Sequence, residues 1–350
     1  MREIANVTEH DAIASPMQLP VRAIQPSDLT IHRLDLFLIP YNNRESKGPT
    51  LLQPTLGNPT ETRRMATKPQ IPNASSFTWL RWDTVSVLFL VGLGIIHIPI
   101  QMASDLSWDA PTSFRKPILF GISTGLTLGS LLLLLNDLRP KPWDRYLRSW
   151  LCVSLVAEVL LITVQAWRRV PSHFNRATVV DTVIEVSMLA FILFAVVWIF
   201  VLTLRSMQQN AFGAVSPARA LAQQAGMVFL TLSCFLGIGI TVIGNYQLLN
   251  GGSTETLGEK GVLKFPHGVV LHAIQTLVAW SWLCDRFHAA HGKMSVALLS
   301  GAHVAFVMYA VRQTWMGRSR WDGDGTAWGL LGAASLLAML AVAIALKRTR

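Results

Sequence analysis

Charge is what this sequence has little of. Of its 350 residues, 14% are Asp, Glu, Lys or Arg, against roughly 25% in an average soluble domain. A chain so poor in charge cannot build an ordinary water-facing surface. Cysteine is scarce as well. Cys152, Cys234 and Cys284 all fall in apolar stretches, with no C-x-x-C or C-x-x-H spacing, so neither a zinc site nor a disulfide framework is indicated. The N-terminal region lacks the charged, apolar and small-residue segments of a signal peptide. Gly121, Gly125 and Gly129 are not followed by the Gly-Lys-Ser/Thr ending of a phosphate loop. The net charge is +10, but the basic residues are scattered over short connections between apolar runs. That pattern reads as membrane topology and headgroup contact, not as nucleic-acid binding.

What is abundant is apolar sequence: 51% of the chain, gathered into eight long runs between Asp83 and Leu346. About 20 apolar residues cross a bilayer as a helix. Unpaired backbone groups are costly in lipid, so every run is expected to be helical. The expected spans are 83–103, 117–136, 149–167, 180–204, 220–243, 267–284, 295–312 and 327–346. The fold class is therefore all-α, a polytopic membrane helix bundle of about eight transmembrane helices, with the lipid bilayer as its main partner.

Residues 1–78 read differently. They hold nine of the 17 prolines and eight Lys/Arg against seven Asp/Glu, without an amphipathic period. They are expected to be a disordered extension, with Met65 as an alternative start, ahead of a transmembrane domain over 79–350.

Connections alternate between two faces. Side one collects twelve Lys/Arg and side two ten. The small excess favours cytoplasmic N- and C-termini in a bacterial inner membrane. Trp79, Trp82, Trp143, Trp150, Trp280 and Trp282 fall near side one. Trp108, Trp167, Trp315, Trp321 and Trp328 fall near side two, completing an aromatic belt at both interfaces.

Two further patterns concern packing. Gly121, Gly125 and Gly129, four residues apart, share one helical face and predict a close helix contact. Phe114-Arg-Lys-Pro-Ile-Leu resembles Lys264-Phe-Pro-His-Gly-Val, and Val164-Gln-Ala-Trp-Arg-Arg resembles Val311-Arg-Gln-Thr-Trp-Met. These pairs suggest a 4+4 parallel repeat.

Ionisable residues inside the spans are the strongest pointers to function, because lipid makes them expensive. They are His97, Glu158, Asp181, Glu185, His272 and His303, with Gln101, Gln165, Asn245 and Gln275 as polar companions. Side two adds Lys116, Arg168 and His173 from its charged connections. The depths of these groups predict a shared polar cavity opening toward side two. Loop bases there either staple to nearby acids or form an anion or headgroup site. His97 and His272, at equal depth, are expected as axial ligands of a haem b iron if the cavity serves electron transfer. Glu158 and the histidines suit proton transfer, or a small-molecule ligand held as substrate or as a transported solute. A third use is an accessory role in which the loops dock a membrane protein partner. No diagnostic catalytic signature is present.

Overall fold

The computed structural model describes residues 74–347 apart from Pro111, with side chains from Trp82 onward. Of the expected extension over 1–78, residues 1–73, with Met65 as a start, lie outside these residues, and 74–78 open the first helix. The described chain is a helix bundle: α1 (Ala74–Met102), α2 (Arg115–Asp137), α3 (Asp144–Trp167), α4 (Val179–Ser206), α5 (Pro217–Leu249), α6 (Lys264–Leu271), α7 (Ala273–Arg286), α8 (Gly292–Trp315) and α9 (Gly325–Ala345). A small hairpin, β1 (Thr256–Leu257) and β2 (Gly261–Val262), lies between α5 and α6. Among the described residues, seven helices are long and apolar enough to cross a membrane. The protein is thus an all-α, multi-pass membrane bundle in contact with lipid.

The sequence marks where several helices start. Thr178, Ser216 and Asp324 cap α4, α5 and α9, each accepting a hydrogen bond from the backbone N–H three residues on. Pro217 follows Ser216 at the first helical position, where its missing N–H costs nothing. Most helices outrun the expected spans: α5 has 33 residues, roughly 50 Å at 1.5 Å per residue. Their polar ends continue past the hydrocarbon into the interfacial layers, which hydropathy alone does not register.

The sixth expected span, 267–284, is two helices that meet at His272. The turn is accommodated locally. Gln275 faces the carbonyls of Leu271 and His272 with its amide nitrogen at 3.1 Å, and the Thr127 hydroxyl of α2 with its oxygen at 3.0 Å. The Leu271 carbonyl, freed by the break, needs such a partner, while the His272 carbonyl also accepts from the Thr276 N–H at 3.3 Å. The α6–α7 pair nevertheless runs the length of the bundle. Lys264 lies beside Glu255 at 2.7 Å, whereas Asp285 of α7 accepts from Ser216 at the start of α5 at 2.9 Å.

Contacts at the two ends fix the alternation. At side one, Arg205 pairs with Asp144 and Arg219 with Asp137, both at 2.6 Å, and the Ala290 N–H donates to the Lys347 carbonyl. At side two, Trp167 reaches His97, the Phe114 N–H reaches Gln101, and Thr314 donates to the Val262 carbonyl.

The core is a leucine-rich seam in which Leu128, Leu131 and Leu135 of α2 meet Leu151 and Leu155 of α3 and Ile199 and Leu202 of α4. The α1–α2 contact is the closest. A Cβ on Gly121 would fall 2.7 Å from the Gly94 Cα and N, and one on Gly94 would fall 2.8 Å from the Ile122 N. Gly125 is likewise crowded by Val91, but Gly129 meets just Val87 Cγ1 at an ordinary 3.7 Å. The close approach is thus carried by two of the three in-register glycines. On the opposite surfaces, Val183, Val186 and Val197 of α4 are each more than half exposed, as lipid-facing residues are.

Candidate functional site

His97 lies in the last two turns of α1, buried under the α1–α2 connection. Its Nδ1 faces the Leu93 carbonyl at 2.7 Å and its Nε2 accepts from Trp167 Nε1 at 3.1 Å. The imidazole is therefore the neutral tautomer with its proton on Nδ1. Phe114 and Trp167 pack around it at centroid distances of 5.7 and 6.0 Å, and Arg169 lies 5.2 Å over the Phe114 ring. Gln101 locks the connection above, donating to the Leu106 carbonyl and accepting from the Phe114 N–H, both at 2.8 Å.

His272 is placed elsewhere. It occupies the α6–α7 turn and is exposed. His97 and His272 therefore do not face a common point through free ring nitrogens. His303 of α8 hydrogen-bonds to Thr276 of α7 at 2.6 Å, beside the Phe229 ring. Gln275 is the neighbour of Thr276 and bridges to α2 through Thr127. His303, Thr276, Gln275 and Thr127 thus form a polar strip around the helix break.

Most side-two charges staple loops. Arg168 donates to Asp181 at 2.6 Å and to Gln165 at 2.5 Å, and Thr178 donates to the other Asp181 oxygen at 2.7 Å. Asp181 and Glu185 share one face of α4, but each takes its own arginine, Glu185 meeting Arg176 at 3.2 Å. Arg115 pairs with Asp109 at 2.7 Å. Arg312 and Arg318 share Asp324, which also caps α9. The Ala327 N–H, together with Arg312 and Arg318, holds the Asp324 carboxyl well below the usual carboxylate range. Burial works against a charge on Glu255, but Lys264 with Arg115 and Lys116 outweighs it and lowers that carboxyl too.

Lys116 and His173 are brought together through Ser172. Lys116 Nζ donates to Ser172 Oγ at 3.1 Å, and Ser172 Oγ lies 2.9 Å from His173 Nδ1. Burial, with the charges of Lys116 and Lys264, pushes His173 from its ordinary 6.5 down to about 4, so it is neutral at pH 7. A crevice between α2 and α3, lined by Ser113, Lys116, Ile162, Ala166, Val170 and Ser172, is too narrow for a water molecule. A roomier, open depression of about 430 Å³ lies at side one, lined by Ser216, Cys284, Asp285, His288 and Ala289.

Glu158 stands apart from every staple. It lies midway along α3, 4% exposed, and its Oε2 has no hydrogen-bond partner. Among the described residues it makes no ion pair.

Sequence reasoning leaves three residues without a role in the site. His267 of α6 hydrogen-bonds to the Ser233 carbonyl of α5 at 2.9 Å. It follows Pro266 at the edge of an apolar run, a position that reads as interface. Asn175, which ends the side-two stretch Val170-Pro-Ser-His-Phe-Asn, is buried with an open Nδ2. Trp167 looked like a belt residue but supplies the hydrogen bond that fixes His97. In comparisons with known proteins, the chain matches no family model, no curated protein and no solved structure.

Proposed function

We propose that this membrane protein passes protons or a small cation through a polar centre at Glu158. The observation that carries this reading is one carboxyl oxygen, deep in a membrane helix, without a partner. Leaving such a group unanswered costs several kcal/mol in an apolar setting. In lipid, an unpaired acid faces a pathway or a ligand by default. The discontinuous α6–α7 helix supports the same reading, since broken helices near the bilayer midplane frame solute sites.

A parallel duplication also fits. Gln165 and Gln313, both fully buried, stand two residues before Trp167 and Trp315 at the ends of α3 and α8. Gly94 of α1 packs on Ile118, which follows Pro117, as Gly237 of α5 packs on His267, which follows Pro266. In a repeat, α2 and α6–α7 are equivalent, and they meet through Thr127 and Gln275 at the line between halves. Electron transfer through haem b draws no support from His97, both of whose nitrogens are engaged. We place the termini in the bacterial cytoplasm on the Lys/Arg excess of side one.

Proteoliposomes with a lumenal pH dye test the proposal. Under an imposed pH or Na⁺ gradient, the protein should speed proton or Na⁺ movement over empty vesicles. Glu158→Gln should lower that rate at least about tenfold, as expected for loss of about 1.4 kcal/mol or more at the barrier. Flux unchanged by Glu158→Gln, or no flux above empty vesicles, contradicts it.

A further inference from the structure

Six of the ten bases at side two pair with an acid. Arg115 has Asp109, Arg168 has Asp181, Arg176 has Glu185, Lys264 has Glu255, and Arg312 and Arg318 have Asp324. Lys116 differs. Its ammonium donates to a neutral hydroxyl and forms no ion pair among the described residues. Glu255 acts on it electrostatically, but that carboxylate is bonded to Lys264, while Arg115 and Lys264 act on it as like charges.

We propose that the connection 170–178, lying against the start of α2, binds a phosphate-bearing anion, with Lys116 supplying charge and His173 and Asn175 supplying neutral N–H donors. Ser172 Oγ accepts from Lys116, and in the arrangement that uses every group its own proton goes to His173 Nδ1. That leaves the remaining imidazole proton on Nε2, where it is free to donate. Asn175 stands two residues further along the same connection. It is 8% exposed, its Oδ1 accepts from the Ala177 N–H at 3.2 Å, and its Nδ2 has no acceptor. A buried donor left open costs about 1–3 kcal/mol, and an anion oxygen is the acceptor that removes that cost.

The crevice behind Lys116 admits nothing, so the anion sits on its headgroup-facing side. Beside it Phe120 packs 6.1 Å from the His173 ring, and Phe120 and Leu119 are exposed apolar residues along which an acyl chain can lie. The phosphate can belong to a lipid headgroup at the interface or to a free anion.

Two binding measurements on the full chain separate these sources. Delipidated protein in detergent is titrated with inorganic phosphate and followed by thermal unfolding. Protein taken from vesicles of phosphatidylglycerol and phosphatidylcholine is weighed by native mass spectrometry. Stabilisation by inorganic phosphate assigns a free anion. A retained phosphatidylglycerol without a response to phosphate assigns a headgroup. In either case Lys116→Gln should weaken binding about tenfold or more, and Lys116→Arg should keep it. Asn175→Ala should weaken the same binding, and carries the test if Lys116→Gln does not fold. Absence of both responses in the unaltered protein, or equal binding by Lys116→Gln or Asn175→Ala, overturns the site. None of these readouts depends on Glu158.

Discussion

Replacing Arg205 by alanine should destabilise the protein by about 3–5 kcal/mol, the range for removing one partner of a buried ion pair. Arg205 is 4% exposed and grips both Asp144 oxygens, at 2.6 and 3.0 Å. It also donates to the Arg139 carbonyl at 2.5 Å and lies 5.2 Å over the Trp143 ring. Local structure favours these positions: Asp144 is in the first turn of α3 and Arg205 in the last turn of α4, where the helix dipoles stabilise each charge. Alanine leaves Asp144 buried with its strongest partner gone. The double variant Arg205→Met with Asp144→Leu should recover most of the loss, because an apolar pair leaves no charge uncompensated. Unfolding by denaturing detergent, monitored on both variants, checks this. Equal destabilisation by the single and double variants would mean that the site needs the pair itself.

Gly121→Val should cost about 3 kcal/mol or more and separate α1 from α2. The obstruction is backbone on both sides: Gly94 Cα and N stand 2.7 Å from the added Cβ, and the Leu90 carbonyl 2.9 Å. Main chain cannot rotate away as a side chain does. Helix association in lipid rests on close van der Waals packing, so separation is not offset by a hydrophobic gain. Gly129→Ala, on the same helical face, should change stability by no more than about 0.5 kcal/mol, since Val87 Cγ1 lies at an ordinary contact distance. Similar losses for both variants would show that the glycine face acts as a whole and not through Gly94 and Gly121.

Hydropathy makes the fold class readable because lipid allows few alternatives to a helix. It could not reveal the break at His272. That feature depends on Gln275 meeting α2 at Thr127, a contact 148 residues apart in the chain. A sequence gives position along a helix, but not rotation about its axis. His97 and His272 are expected at one level, yet one turns inward to Trp167 and the other is exposed. Loop stapling was foreseeable as a type from the mix of bases and acids at side two. Which arginine meets which acid depends on tertiary geometry, as Arg168 bonding to Asp181 across the α3–α4 connection illustrates. Glu158 is conspicuous in the sequence, because a carboxylate inside an apolar run is costly in lipid.

A chain that weaves through a bilayer in this way puts the Arg205–Asp144 end and the Lys116–His173 end on opposite faces. Single cysteines introduced by Gln209→Cys and Ser253→Cys, at exposed positions before and after α5, probe this directly. In sealed vesicles of one orientation, a membrane-impermeant maleimide should label one of them from outside and the other after permeabilisation. Labelling of both from the same side would contradict the arrangement and with it the placement of Glu158 within the membrane.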